Sequence, residues 1–394
     1  MKTVFFKLIF IVLFQWTAGS QNMGLRPTKT SPLDSVLTED LKQKTLGSSG
    51  DSGEVSLLFI GDFMGHLDQI NAAYDKASRS YNYDSTFKKI TPILSDADFT
   101  IGNLEVTLGV TPYSGYPQFS SPPAYAAAIK KSGVDVLVTA NNHSCDKRKK
   151  GVERTIAVLD SLGVGHTGTF VSTKSKQTSP AYVIEKNNIK IAIINYTYGT
   201  NGIPPNSPNI VNYLEKERIS KDVDAVNALI KPDQIIAFVH WGDQYKDLPN
   251  TTQKKWFDYF KSLGVNIVIG AHPHVLQPME WRSKNGLNNE SLVVYSLGNF
   301  VSHQRTFRRD GGAVLKLALQ KSGEGVEIKS VGYHLIWVHE FLVENNKYYD
   351  ILSVKDFEAA PDYFSIKEDY DKLIRFSTHA RKLLIEHNIN IEEY

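Results

Sequence analysis

The sequence predicts an α/β fold built on mainly parallel strands. Two observations carry this. Short apolar runs recur along the chain, each ending at once in a polar cluster, and amphipathic segments with helical spacing lie between several of them. The first run is VSLLFIGD, starting at Val55. Residues 97–101 then lead into GNLE, 134–139 into ANNH, 189–194 into NYTYG, 234–239 into HWGDQY, 265–269 into GAHPH and 292–296 into LGNF. Helical spacing marks 74–76, 87–94, 124–132, 151–162, 221–229 and 253–263. Gly133, Gly163 and Gly264 stand just past three of these segments, where glycine commonly ends a helix. After residue 311 the pattern changes: GGAVLKLALQ and VEIKSVGYHLIWVH alternate like antiparallel strands, and 363–389 reads as a last helix with charged faces.

With 394 residues, 41% of them hydrophobic, the chain can bury one large core or two smaller ones. Residues 1–20 read as a secretory signal: a lysine near the start, an apolar stretch, then small residues with cleavage after Ala18, Gly19 and Ser20. An uncleaved anchor is the alternative, although the apolar run from Leu8 to Phe14 is short for a bilayer. Residues 21–53 are polar and read as a tether. Removing the signal takes out Lys2 and Lys7 and no acid, which brings the 44 basic residues level with the 42 acidic ones. That balance excludes nucleic acid as a bulk electrostatic partner. Cys145 is the sole cysteine, so no internal disulfide is available, and its thiol reads as a small buried side chain.

The strand-end clusters contain Asp62, Asn103, Glu105, Asn142, His143, Asp146, His240, His272 and His274. In α/β sheets, functional groups gather at the carboxyl ends of strands. Mixed oxygen and nitrogen donors suit zinc, manganese or iron rather than calcium. The lack of thiolates other than Cys145 argues against a structural zinc knot. Each residue alone has a plain structural reading: Asp62 as a helix cap, Asn141 and Asn142 as turn residues, His240 as a satisfied core histidine. His272 and His274 point to the same side if their segment is extended. The metal reading rests on the set.

The stretches GDFMGH, GNLE, NNHSCDKRKKGVERTIAVLDSLGV, HWGDQY, GAHPHVLQ and SLGNF, in this order across residues 54–320, resemble the CapA family, which is associated with bacterial poly-γ-glutamate capsule synthesis. The resemblance implies a metallophosphatase-like, four-layer α/β/β/α sandwich of two mixed sheets, expected over residues 54–340; residues 341–394 lie outside the resemblance and are expected to form a helical extension. It also implies one or two divalent ions (Mn, Zn or Fe), with Asp62, Glu105, Asn142, His240, His272 and His274 as ligands. The phosphatase pattern has a histidine two residues after Asp62. This chain has Met64 there, which makes His66 a substitute ligand or a substrate contact. Asn103 stands where the pattern has a bridging aspartate, so the bridging role passes to Glu105. One ion is expected to be held firmly by Asn142, His240, His272 and a carboxylate, with a second weaker or absent.

By the same resemblance, His143 protonates the leaving group or orients the transition state. Asp146 orients His143 or caps the helix that follows, and capping is the favoured reading. Trp241, Tyr245, Tyr198 and Phe300 are expected to line a cleft. Asn103, Asn299 and the loop arginines Arg305, Arg308 and Arg309 are expected to meet an anionic substrate. The expected protein is an exported hydrolase or transferase of the periplasm or cell envelope. Its expected partners are an anionic envelope polymer or a phosphorylated precursor, and membrane synthases. The alternatives are a non-catalytic assembly or export factor on a degenerate phosphatase fold, and an envelope phosphoesterase.

Overall fold

A computed structural model describes residues 53–283, 290–323 and 325–394. The signal segment, and the tether up to residue 52, lie outside the described residues. The strand Glu54–Phe63 is the hub of the first sheet. Phe99–Leu104, Val136–Val138 and Gly165–Thr167 extend the sheet from one side of it, each parallel to its neighbour. On the other side lies an antiparallel meander of Gly311–Ser322, Gly325–Val343 and Asn346–Ser353. The second sheet has a parallel centre of Ile189–Thr197, Gln234–His240, Ile267–Ala271 and Ser291–Leu297. Tyr182–Lys186 and Leu276–Arg282 close its edges antiparallel.

The central strands are apolar throughout because both of their faces are covered. Side chains alternate. Val55, Leu57 and Phe59 point between the sheets and meet Ile191, Ile193, Ile236 and Phe238. Leu58 and Ile60 point outward to helices Pro123–Lys131 and Arg148–Leu162, through Ala126, Ile129, Val158 and Leu159. On the far side, Ile194, Ala237 and Val239 meet helices Lys216–Leu229 and Thr251–Ser262, through Ile219, Val223, Phe257 and Phe260. This makes four layers, α/β/β/α.

Two local expectations change. Residues 74–76 are not helical: the helix is Leu67–Ala73, and Tyr74–Asp75 pairs with Ser80–Tyr81, where the two tyrosine rings lie 5.0 Å apart. The strand Gly325–Val343 crosses residue 340, and Asn346–Ser353 pairs with it. The last helix, Lys367–His387, sends Leu373, Phe376, Ala380 and Leu384 into the core between the sheets. Its apolar face therefore finds cover at the open side of the sandwich rather than in a separate extension. Among the described residues, no helix is long and apolar enough to cross a membrane.

Candidate metal centre

The carboxyl ends of the two parallel halves face each other, and the polar clusters meet there. Close backbone approach makes the meeting possible. A Cβ on Gly61 would lie 2.0 Å from the Gly298 carbonyl oxygen, so only glycine lets Asp62 come into register opposite Asn299. Asp62, Asn103, Glu105, Asn142, His143, Asp146, His240, His272, His274 and Asn299 are all buried.

Two trios of ligand atoms emerge among the described residues: Glu105 with His240 and His272, and Asp62 with Glu105 and His274, the atoms of each trio lying within 4.8 Å of one another. Glu105 is common to both. In the first trio, His240 Nε2 lies 2.9 Å from Asn142 Oδ1, 3.1 Å from His272 Nδ1 and 3.6 Å from Glu105 Oε1. In the second, His274 Nδ1 lies 3.1 Å from Asp62 Oδ2 and 3.0 Å from Asn299 Oδ1, while its Nε2 lies 3.6 Å from Glu105 Oε1.

The donor set fits a divalent cation. Both Glu105 carboxylate oxygens are buried without a hydrogen-bond partner, although a buried carboxylate ordinarily finds donors. Burial first, and then the charges of Asp62 and Asp146, push Glu105 well above the usual carboxylate range. Burial, followed by the neighbouring histidines, holds His240 and His272 well below the usual imidazole value. Imidazole is therefore neutral here, which is the form that binds metal.

The His-Pro-His segment is not extended. His272 has φ 101° and His274 has φ 57°, both in the left-handed region that side chains avoid. The bend sends the two rings to different trios instead of one side. Strain of this kind costs about 1–3 kcal/mol per residue and gathers at functional sites. Asp146 does not cap the following helix, whose N-cap is Lys147. Asp146 Oδ2 accepts the Nδ1–H of His143 at 2.7 Å and the Phe119 backbone N–H at 2.6 Å, and the Phe119 ring stands edge-on to His143 at 4.7 Å. Burial and the Asp146 charge push the Cys145 thiol up to about 12, in keeping with an inert side chain.

Several residues expected to touch substrate lie elsewhere. Asn103 is inside the cluster, donating to Asp62 Oδ1 at 2.7 Å with its Nδ2 also 3.2 Å from His240 Nδ1, so it orients candidate ligands. Asn299 is likewise buried against His274. Trp241 follows His240 on the strand's opposite face. It is buried in the helix-covered outer core and donates to the Tyr295 carbonyl at 3.0 Å, so it lines no cleft. Phe300 is buried against Phe63. Arg308 is paired with Asp247 at 2.6 Å. Arg305 is half-buried over the Trp337 ring, and Arg309 lies 3.4 Å over the Tyr245 ring. Local acids and aromatics thus occupy the arginines that the sequence offered to substrate. Met64 is buried in an apolar cluster. His66 belongs to neither trio; it is half-buried, with its ring edge-on to Phe119 at 5.2 Å.

Tyr245 borders His274 at 6.1 Å between rings. Tyr198 is the exposed face of the centre. At 48% exposed, it stacks on His240 at 6.2 Å and lies 4.7 Å from the His272 ring. Asn141 and Asn195, which the strand-end set does not include, also support the centre. Asn141 Oδ1 accepts the His143 N–H at 3.1 Å, and its Nδ2 donates to the Leu104 carbonyl at 2.7 Å. Asn195 Oδ1 accepts the Ala140 N–H at 2.6 Å, tying the second sheet to the loop of the first. The available signal was a polar residue at the end of each apolar run.

A four-layer sandwich with buried carboxylates and imidazoles gathered at facing strand ends defines a candidate metal-binding α/β protein. The chain belongs to the bacterial capsule synthesis protein PGA_cap family, whose sequence model matches residues 56–304. It is 28% identical over 302 residues to the PGA biosynthesis protein CapA of Bacillus subtilis, covering 71% of this chain and 72% of that one. It is 24% identical over 287 residues to the capsule biosynthesis protein CapA of Bacillus anthracis, covering 69% and 66%. Among solved structures it is similar to the calcineurin-like phosphoesterase YfkN of Bacillus subtilis, at 15% identity and TM-score 0.38 over 84% of this chain and 98% of that one. It is also similar to TT1561 of Thermus thermophilus, at 10% identity and TM-score 0.36 over 70% and 98%.

Proposed function

We propose that this protein is an exported metal-dependent hydrolase or transferase that acts on a phosphoester or amide during synthesis of a capsule or cell-envelope polymer resembling poly-γ-glutamate. The observation that carries this is Glu105, a buried carboxylate with both oxygens unpartnered, shared by two trios of ligand atoms. Asp62, Glu105, His240, His272 and His274 are the groups that would hold divalent ions, with Asn142 and Asn299 beside them. When bound, such an ion supplies Lewis acidity and a nucleophile at neutral pH. The chain's own contribution is positional. Asp146 holds the Nδ1–H of His143, which leaves Nε2 to give or take a proton. Asn141 holds the backbone of that loop, Asn103 orients Asp62, and Tyr198 offers a ring and a hydroxyl to an incoming substrate.

The test is metal analysis of the purified protein, together with turnover of model phosphoesters and a γ-glutamyl amide by wild type and His143→Ala. The substitution is expected to lower turnover by about 10²–10⁴-fold with metal content unchanged. A wild-type protein that binds no divalent metal defeats the enzyme reading. Equal turnover by His143→Ala at full metal content removes the role given to His143.

A further inference from the structure

We propose that the exposed basic face of helix Arg148–Leu162 is a docking surface for an extended polycarboxylate chain entering the metal centre. The inference rests on the reading above, that the centre works on an anionic polymer. Residues 147–154 carry five cations (Lys147, Arg148, Lys149, Lys150 and Arg154) against one acid, Glu153, in a chain whose charges otherwise nearly balance. Lys149 answers Glu153 at 2.7 Å. Arg148, Lys150 and Arg154 are exposed, and no ion pair of theirs is found among the described residues. Lys149, Lys150, Glu153, Arg154 and Ala157 line an open groove. The helix packs through its opposite face, with Val152, Thr155, Ile156 and Leu159 buried, so packing makes no demand on the cations.

Helix stability does not account for them either. The first turn of a helix favours acids, and this one has none; Lys147 at the N-cap makes no side-chain cap. Arg148 sits at φ 53°, where glycine would be easier. An ordinary solvated helix face mixes charges of both signs. This face concentrates one sign against the local preference, and a polyanion outside the helix gives that a reason.

A hydrogen-bonded segment links the helix to the centre. Within residues 201–209, Asn201 Oδ1 accepts the Asn142 side-chain N–H at 3.4 Å, Asn206 Oδ1 accepts the Lys149 backbone N–H at 3.3 Å, and the Asn209 amide reaches Glu153 at 3.3 Å. Lys147 directly follows Asp146, the partner of His143. Lys150 and Arg154 are one helical turn apart, about 6 Å along the axis, so an extended chain with one carboxylate per monomer can meet both in passing. The basic rim that the arginines after SLGNF do not provide is thus offered by this helix.

Fluorescently labelled polyglutamate, followed by anisotropy at several salt concentrations with the full metal-loaded chain, tests the surface. The triple variant Arg148→Ser, Lys150→Ser, Arg154→Ser is expected to bind at least about tenfold more weakly and to lose most of the salt dependence. Metal content and turnover of small substrates should stay unchanged. The charge-keeping double variant Arg148→Lys, Arg154→Lys is expected to bind like wild type. Equal binding by the triple variant, or a double variant as weak as the triple, overturns the proposal. So does a wild-type protein that captures anionic vesicles but not the free chain. Absence of metal or turnover in the wild type strikes only the enzymatic reading, because anisotropy registers binding without chemistry.

Discussion

The two sheets bring different chemistry to the same place. The parallel half of the first sheet and its loops supply Asp62, Asn103, Glu105 and Asn142, all of them oxygen or amide groups. The second sheet supplies His240, His272 and His274. Neither sheet holds a complete trio. The centre exists only where the carboxyl ends face each other, so it reports on the packing of the sandwich as much as on any motif. The antiparallel half of the first sheet makes the contrast sharper. There Glu340 and Lys347 find charged partners from neighbouring segments: Glu340 pairs with His303 at 2.7 Å, and Lys347 with Asp68 at 2.8 Å. Paired charges support structure, whereas a buried carboxylate without a hydrogen-bond partner is compatible with a ligand site.

The comparison can be broken most severely at the seam between the sheets. Phe238 lies 6.3 Å from Phe59 across the inter-sheet core, and Phe238→Ala should cost about 3–5 kcal/mol in denaturant unfolding. Metal affinity should fall with it; unchanged affinity would mean that the two halves are held together by other means. Next in size, Glu105→Gln removes the donor common to both trios. It should weaken metal binding by about a hundredfold or more, read by competition with a chelator. If instead the variant keeps full affinity, Glu105 is not the shared ligand. Asn103→Leu deletes only an orienting partner and should cost about tenfold in the same titration.

The antiparallel half offers a pH contrast. Burial alone would raise Glu340, but His303 and Lys347 outweigh it and hold the carboxyl at about 2. A group depressed on folding contributes stability above its unfolded value and loses it as pH falls through its folded value. The melting advantage of wild type over Glu340→Gln should therefore be full near neutrality and shrink from the ordinary carboxylate range down towards about 2. An advantage that grows on acidification would contradict the pairing. Smallest of all, Cys145 should stay unreactive towards thiol reagents in the folded protein, because burial keeps its thiol protonated up to about 12.

Much of this was legible in the chain itself. Apolar runs ending in polar clusters marked the strands and placed Asp62, Glu105, Asn142, His240, His272 and His274 at their ends, because alternation and strand termini are properties of a few adjacent residues. The limits were set by distance along the chain. Asp146 reads equally well as a helix cap until Phe119, 27 residues earlier, presents its N–H. Arg308 reads as a free cation until Asp247, 61 residues away, arrives beside it. Trp241 reads as a cleft residue until strand register turns it to the helix side.

The sequence by itself determined which donors this protein has and which strand ends carry them. The tertiary structure alone decided how those donors divide. The close approach at Gly61 and Gly298 sets Asp62 beside Asn299, and the left-handed turns at His272 and His274 separate two neighbouring rings into two trios that share Glu105. The physical reason is that residue type is local information. Which side chain faces which depends on the sheets packing against each other, and burial then strips the solvent from whatever meets between them.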